Sequence, residues 1–167
     1  MHTRLATSGD AAAIAEIYNR EVTEGTATFD MVPRTEAEQL AWMREHSGAY
    51  PCVVATSGEQ AGATVMGWAC LSPYRPRPAY STSVEDSIYV HRDHQGRGVG
   101  GLLLGHLVAL ADDHGFHATF ARIADAGAAS IALHSKHGFD LVGVEREVGR
   151  KFGRWLDVTV MQRLRPR

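Results

Sequence analysis

The sequence predicts a mixed α/β domain built on a sheet of about seven strands. Short stretches such as STSVEDSIYV alternate apolar and polar residues, which is typical of strands with one buried face. Another stretch, HQGRGVGGLLLGHLVAL, carries leucines at helical spacing. The chain has 167 residues, enough to bury one core but too few for two large domains. The predicted order of elements is β-α-α-β-β-β-α-β-α-β-β.

The first part of the chain is predicted to contain a short strand and two helices. The strand runs up to Ala6, and Ser8 or Asp10 caps the first helix. Residues 23–34 form a loop. Thr35-Glu36-Ala37-Glu38 has the pattern of a capping box, and it opens a second helix that extends to about His46.

The rest of the chain is predicted to contain six strands and two helices. Three prolines in PYRPRPAY exclude a regular helix or a central strand there. A glycine-rich loop opens the third helix, and Gly138 ends the fourth, GAASIALHSKHG. The predicted strands are PCVVAT, ATVMGWACLS, STSVEDSIYV, HATFARI, FDLVGVEREV and RWLDVTVMQRL.

Composition and charge indicate a soluble protein. A net charge of −2 offers no argument for a nucleic acid or an anionic membrane as partner. The N-terminal MHTRLATSGD is polar, and no apolar run approaches the roughly 18–20 residues that cross a bilayer. Cys52 and Cys70 each lie in an apolar stretch, so we expect two buried thiols rather than a disulfide. We therefore expect a cytoplasmic protein that binds neither nucleic acid nor membrane.

The run GRGVGG, from Gly96 to Gly101, lies between a predicted strand and a predicted helix. Glycines in such a turn let backbone N–H groups converge, and the positive end of the following helix adds to them, which suits a phosphate. The run matches the dinucleotide fingerprint G-x-G-x-x-G, and Asp125 lies roughly where that fold places its ribose-binding acid. However, HRDHQ separates the strand from the first glycine, and too few residues follow for a dinucleotide fold. A P-loop is excluded because no Gly-Lys-Ser/Thr follows.

Longer motifs carry a more specific resemblance. SVEDSIYVHRDHQGRGVGGLLL, followed by ASIALHSKHGFDLVG, resembles the GCN5-related N-acetyltransferases (GNATs), which bind acetyl-CoA. The resemblance implies one domain over residues 1–167 with the GNAT fold, a mixed and mostly antiparallel sheet flanked by about four helices. It implies acetyl-CoA as co-substrate, with the turn from Gln95 to Gly100 on the pyrophosphate and the strand before it pairing with the pantetheine.

The residues that this resemblance assigns to acetyl-CoA form one set. They are Ile88, Tyr89, Val90, Gln95, Gly96, Arg97, Gly98, Val99, Gly100, Gly101, Gly127 and Ser130. Gly127 departs from the family pattern, which usually has an Asn three residues before the serine, in contact with the pantetheine. Either a backbone group or a water substitutes there, or the cofactor contacts are fewer.

Acyl transfer from a thioester to an amine needs a base for the amine, a donor to the oxyanion and a proton for the thiolate. Glu85 and Asp86 interrupt an apolar strand, and adjacent strand residues face opposite sides, so one of them points to the ligand face. Glu85 is the candidate general base, directly or through a water. The resemblance favours His134 as the candidate acid and the N–H of Val90 as the oxyanion donor. His91 and His94 lack a third convergent ligand, so we predict no metal site.

A narrower resemblance concerns the acceptor. TATFD, PYRPRPAYSTSVEDSIYV and VGRKFGRWLDVTVMQR are similar to phosphinothricin and methionine sulfoximine or sulfone N-acetyltransferases. This implies transfer to the α-amino group of a small amino-acid analogue by a homodimer. The residues expected to contact the acceptor are Phe29, Arg75, Arg77, Tyr80 and Lys151. Guanidinium groups in a proline-stiffened loop suit bidentate capture of a carboxylate.

Other functions stay open at this point. The same fold would allow acetylation of a protein N-terminus or another small amine, although the basic YRPRPAY loop disfavours polyamines and aminoglycosides. A non-catalytic acetyl-CoA-binding module is an alternative from another class, and the presence of Glu85 and His134 argues against it. A nucleotide oxidoreductase is the remote fourth alternative.

Overall fold

The computed structural model describes residues 1–60 and 62–166, and the predicted α/β fold is confirmed. In this part of the chain four α-helices accompany seven strands, in the predicted order. The helices are α1 (Ala11–Glu24), α2 (Glu36–Glu45), α3 (Val99–Asp113) and α4 (Ala128–Lys136). The strands are β1 (His2–Leu5), β2 (Cys52–Thr56), β3 (Val65–Pro73), β4 (Ser83–Val90), β5 (Ala118–Ala124), β6 (Asp140–Lys151) and β7 (Arg154–Leu164).

One sheet contains all seven strands in the order β1-β2-β3-β4-β5-β7-β6. Every neighbouring pair is antiparallel except β4 and β5, which are parallel. These two strands pair only from Ser83 with Ala118 to Glu85 with Phe120. Beyond that point β4 continues to Val90 and β5 to Ala124 without pairing with each other. A cleft therefore opens in the middle of the sheet.

Helices cover both faces of the sheet. On one face, α3 packs Leu103 and Leu107 against Leu71 and Val84, and all four side chains are almost fully buried. On the other, α1 and α2 cover a cluster that includes Trp68. Burying one leucine side chain contributes roughly 1.5–3 kcal/mol, so this packing holds the strands beside the cleft in place.

The helix caps follow the sequence signals, with one difference. The Thr35 hydroxyl accepts a hydrogen bond from the Glu38 N–H at 3.3 Å, and the Glu38 carboxylate accepts from the Thr35 N–H at 2.8 Å, which confirms the capping box. Asp10 is the N-cap residue of α1, but its side chain does not cap that helix. The Asp10 carboxylate instead accepts hydrogen bonds from the Thr7 N–H and from Arg4.

Cys52 and Cys70 are register partners on β2 and β3, and both are buried, free thiols. Burial raises the pKa of both, that of Cys70 to about 12, so neither is a reactive thiolate near neutral pH. None of the helices in residues 1–60 and 62–166 has the length and apolar character needed to cross a membrane.

Candidate active site

A cavity of about 340 Å³ occupies the cleft between β4 and β5. Its wall combines β4, β5, the loop after α1 and one side of α4. The lining residues from these elements are Glu85–Tyr89, residues 121–124, Ala27–Phe29, Gly127, Ser130 and His134, with Val158 of β7. The cavity passes through the sheet, because both Glu85 and Asp86 line it although adjacent strand residues face opposite sides.

The edge of β4 that faces the cleft offers free backbone groups. The Tyr74 N–H donates to the Ser83 carbonyl, and the His91 N–H donates to the Met66 carbonyl. Antiparallel pairing alternates, so the odd-numbered residues of β4 direct their N–H and C=O groups at β3. The Asp86 carbonyl, both backbone groups of Ile88 and the Val90 N–H therefore face the cleft beyond the last β5 pair, where an extended, amide-bearing ligand can pair with them.

The glycine-rich turn lies where β4 ends and α3 begins. Gly96 has φ 72° and Gly98, the N-cap of α3, has φ 84°, a region that favours glycine. At Gly100 a Cβ would come 3.1 Å from the Leu133 side chain of α4, so glycine there allows the two helices to pack. The Gln95 amide donates to the Val90 carbonyl at 3.3 Å, which links the turn to the strand. The N–H groups in the first turn of α3 lack intrahelical partners, which suits them to an anion.

Glu85 lies half-buried on the cavity wall. Burial raises the pKa of its carboxyl group, and the positive charge of Arg122 opposes that rise most strongly. Once ionised, a carboxylate with a raised pKa is a better proton acceptor than an exposed one. The geometry therefore suits the base chemistry predicted for this residue.

His134 is buried, and its two ring nitrogens have different partners. Nδ1 lies 2.7 Å from the Ser130 carbonyl oxygen, and Nε2 lies 3.2 Å from Oδ2 of Asp86. Burial lowers the His134 pKa, but the hydrogen bond and charge of Asp86 outweigh it, so the pKa is raised. Burial also raises the pKa of Asp86, which His134 offsets in part. Sequence reasoning missed this pairing of Asp86.

Arg122 is a second residue that the sequence reasoning missed. It lies on β5, lines the cavity, and binds both oxygens of Glu145 on β6, with 3.0 Å between Nη1 and Oε1. Among the described residues that line the cavity, it is the one Lys or Arg. An arginine in the otherwise apolar HATFARI stretch was the available signal.

The residues predicted to contact the acceptor are placed differently from one another. Phe29 lines the cavity, and its ring lies against Gly149, where an added Cβ would come 2.2 Å from Cε2 of the ring. Arg75, Arg77 and Tyr80 lie outside the cavity wall, in the exposed loop before β4. The Arg75 guanidinium lies 5.0 Å from the centre of a neighbouring tyrosine ring in that loop.

Lys151 is buried and is not among the residues that line the cavity. Its Nζ donates to the carbonyl oxygens of Glu21 at 3.0 Å and Thr28 at 2.8 Å. Burial lowers its pKa. These bonds tie β6 to the end of α1 and to the loop that carries Phe29. The structure thus gives Lys151 a positioning contact, and its predicted contact with the acceptor stays a prediction.

Gly127 is the N-cap of α4, at the rim of the cavity. Asp125 and Ala126 before it have φ 52° and 50°, a strained backbone for residues other than glycine. Arg154 and Thr26 hold the Asp125 carboxylate at 3.0 Å each. A Cβ at Gly127 would lie 3.1 Å from the Ile123 side chain. The turn is therefore held tightly where the sequence departs from the family pattern.

The predicted histidine pair lies just after β4. His91 and His94 have ring centroids 5.6 Å apart, and the His91 Nδ1 accepts from the Asp93 N–H. Within residues 1–60 and 62–166 no group of three or more His, Cys, Asp or Glu side chains could hold a metal ion.

Comparisons with known proteins agree with this geometry. The family described as "Acetyltransferase (GNAT) family" matches residues 12–139. The chain is 42% identical over 156 residues to the phosphinothricin N-acetyltransferase of Streptomyces coelicolor, covering 92% of this chain and 90% of that protein. It is 40% identical over 155 residues to the L-methionine sulfoximine/L-methionine sulfone acetyltransferase of Pseudomonas paraeruginosa, covering 92% and 88%. A phosphinothricin acetyltransferase from Sinorhizobium meliloti, solved in complex with acetyl-CoA, superposes with a TM-score of 0.92 at 40% identity, covering 98% and 87%.

Proposed function

This chain belongs to the GNAT acetyltransferase family, and we propose that it acetylates the α-amino group of a small amino acid or amino-acid analogue. It is an acetyl-CoA-dependent N-acetyltransferase. Phosphinothricin, methionine sulfoximine and methionine sulfone are the acceptors that its relatives' names suggest. The observation that carries the proposal is the cavity in the β4–β5 cleft, where Glu85 and Arg122 lie together on the wall. A carboxylate and a guanidinium match the two charges of a free amino acid.

The co-substrate fits the free edge of β4 and the turn that follows. The backbone of Asp86, Ile88 and Val90 offers donors and acceptors to the amides of the pantetheine arm. The N–H groups from Gly96 to Gly101 suit the pyrophosphate. The free edge of β4 and the turn adjoin at Val90, whose N–H faces the cleft and is suited to donate a hydrogen bond to the oxyanion.

Glu85 acts as the base, directly or through a water. It removes a proton from the acceptor ammonium, and the amine nitrogen then forms a bond to the thioester carbon. The N–H of Val90 stabilises the resulting oxyanion. As the carbon–sulfur bond breaks, the electron pair passes to sulfur, and His134 supplies the proton that completes the thiol. The ammonium has three hydrogens and the amide product has one, so the nitrogen loses a second proton after the attack, and both protons leave through Glu85 to solvent.

The acceptor's other groups find partners nearby. Arg122 from β5, with Arg75 and Arg77 from the loop before β4, suits a carboxylate. Phe29 on the cavity wall and Tyr80 in the loop suit the side chain. Lys151 holds the Phe29 loop in place.

We also propose that the protein forms a homodimer through the β6–β7 hairpin. β6 is an edge strand, and its apolar side chains are unusually exposed for a sheet. Leu141, Val142, Val144, Phe152 and Trp155 are each more than half exposed. A second copy of the chain would cover this surface close to the wall of the cavity.

Thiol release from acetyl-CoA tests the proposed acceptor class. The panel contains phosphinothricin, methionine sulfoximine, methionine sulfone, ordinary amino acids, a polyamine and short peptides. We expect turnover with at least one of the small amino-acid analogues. Release with peptides alone would reassign the enzyme to protein N-termini, and no release with any small amino acid would overturn the proposal.

A further inference from the structure

Asp86 and His134 form a buried pair between β4 and α4. Asp86 is 6% exposed and His134 is 3% exposed, and both line the cavity. They are 48 residues apart in the sequence, and Nε2 and Oδ2 lie 3.2 Å apart. Burying two titratable groups costs free energy unless they form a hydrogen bond or an ion pair with each other.

The hydrogen-bond partners determine how many protons the pair holds. The Ser130 carbonyl oxygen can only accept, so Nδ1 of His134 carries a hydrogen. A neutral imidazole with that hydrogen has a bare Nε2, and an ionised carboxylate is also an acceptor only. The contact between Nε2 and Oδ2 is therefore a hydrogen bond only when one further proton lies between them. The raised pKa of both groups agrees with this shared proton.

Other groups around the pair support a charged imidazole. His134 lies in the last turn of α4, where the helix dipole favours a cation. Glu85 is on the opposite face of β4 and Arg122 on the opposite face of β5. Lys136 and the adjacent His137 lie with His134 at the C-terminal end of α4. The charge of Asp86 also contributes to the raised pKa of Cys70 on β3. Among the described residues, Asp86 is the charged side chain that shifts the His134 pKa.

We propose that Asp86 is a positioning residue that keeps His134 charged, so that the pair holds the proton given to the departing thiolate. This inference rests on the proposed function, because it assigns the source of the proton in that reaction. Nε2 and Oδ2 lie 3.2 Å apart, and both residues line the cavity, so the shared proton is held at the cavity wall.

The proton count of the step balances. The carbon–sulfur bond of the tetrahedral intermediate breaks, its electron pair moves to sulfur, and the proton from Nε2 forms the S–H bond. The imidazole is left neutral beside the Asp86 carboxylate. It takes up one proton from solvent before the next turnover, whereas two protons leave the acceptor nitrogen through Glu85, so each turnover releases one proton net.

Histidine NMR tests the pair without any acceptor. The His134 resonance is assigned by its loss in His134→Gln, and its titration is followed in the wild type and in Asp86→Asn. We expect a wild-type midpoint above the ordinary ~6.5 and a fall of about one pH unit or more in Asp86→Asn. Asp112→Asn, which removes a carboxylate bound to Arg163 away from the cavity, is the matched control. An unchanged midpoint in Asp86→Asn would overturn the inference.

Kinetics test the role in turnover. The high-pH limb of the kcat profile should move to lower pH in Asp86→Asn, while KM for acetyl-CoA changes little. The double variant with His134→Gln should be no slower than His134→Gln alone, because Asp86 acts through His134. Additive losses would contradict the inference. Asp86→Ser, a smaller side chain, repeats both measurements where Asp86→Asn does not fold. If the wild type shows no turnover with any acceptor of the panel, the proposed function is wrong. The NMR result still decides whether Asp86 and His134 share a proton.

Discussion

The guanidinium of Arg122 binds the carboxylate of Glu145 through both Nη atoms, reaching from β5 across β7 to β6. This pair is partly exposed, so its net contribution to stability is small. Its position matters more, since Arg122 brings a cation onto the same cavity wall as Glu85. The Glu145 carboxylate fixes the orientation of the Arg122 guanidinium and raises the pKa of Arg122. The cavity wall therefore presents a carboxylate and a guanidinium, which suits the doubly charged acceptor that we propose.

Arg122→Gln should raise KM for the amino-acid acceptor by about tenfold or more, because a hydrogen bond to a charged group contributes roughly 1.5–3 kcal/mol. kcat should change less, since the carboxylate takes no part in the bonds that form and break. Initial rates with methionine sulfone and with its carboxamide measure the effect. The wild type should discriminate between these two acceptors, and the variant should discriminate less.

Arg163→Gln is the control for that substitution, because Arg163 also binds an aspartate with both Nη atoms but lies outside the cavity wall. It should leave both KM values unchanged. Arg77→Ala tests the loop arginine in the same assay and should also raise KM more than it lowers kcat. Unaltered discrimination in both the Arg122 and Arg77 variants would show that another group holds the carboxylate.

Glu85→Gln should lower kcat by about 10²–10⁴-fold while KM for acetyl-CoA stays near the wild-type value, because the base acts on the amine. Burial raises the Glu85 pKa, so the active, ionised form is lost as the pH falls through a value above the ordinary one for glutamate. The wild-type profile of kcat should therefore show an acid limb, and the variant should lack it. Unchanged turnover at neutral pH would remove Glu85 from the mechanism.

Gly98→Ala should weaken acetyl-CoA binding and lower stability by roughly 1–2 kcal/mol, because residue 98 has φ 84°. An added Cβ would meet nothing within 4 Å, so the cost is one of backbone conformation. Gly48→Ala is a matched control, with φ 63° and equally open surroundings away from the cavity. Thermal unfolding should show a similar loss for both variants. Only Gly98→Ala should raise the Kd for acetyl-CoA, and equal binding by both would contradict a role for this turn.

Trp155→Glu should convert the proposed dimer to a monomer, because a charge replaces an apolar side chain that is 59% exposed on the hairpin. Light scattering coupled to size-exclusion chromatography measures the mass of each species. Leu5→Glu, at the opposite edge of the sheet and 55% exposed, is the matched control and should leave the mass unchanged. A monomeric wild type would overturn the dimer.

Local patterns predicted the elements well, since alternation and helical spacing are set by which side of each element is buried. The strand RWLDVTVMQRL and the capping box at Thr35 lie where the sequence placed them. The family, its fold, the enzyme class and acetyl-CoA as co-substrate are also confirmed. The pairs Asp86–His134 and Arg122–Glu145 were not predicted. Each joins elements that meet only in the folded sheet, and no periodicity within one element records such a contact.

The cleft likewise could not be predicted from patterns within single elements. The glycine turn and the β4 strand were recognised from their motifs, but the early end of the β4–β5 pairing at Glu85 is a property of two strands together. That ending exposes the edge of β4 and places Glu85 and Asp86 on one cavity. Lys151 was assigned to the acceptor through the resemblance, which stays a prediction, and no pattern in the sequence indicated that its ammonium would bond to the backbone carbonyls of Glu21 and Thr28.

Gly127→Asn should lower the Kd for acetyl-CoA by up to about fivefold, the equivalent of one hydrogen bond of ~1 kcal/mol, because it restores the amide usual in the family. The asparagine would also cap α4, where glycine provides no side-chain cap. The Ile123 side chain must shift to admit the new Cβ, which would otherwise lie 3.1 Å from it. Gly127→Ala carries the same Cβ without the amide, so it measures the cost of that shift alone. Isothermal titration with acetyl-CoA compares the two variants. Tighter binding by Gly127→Asn than by Gly127→Ala is expected, and equal binding would show that no amide contact is made at this rim.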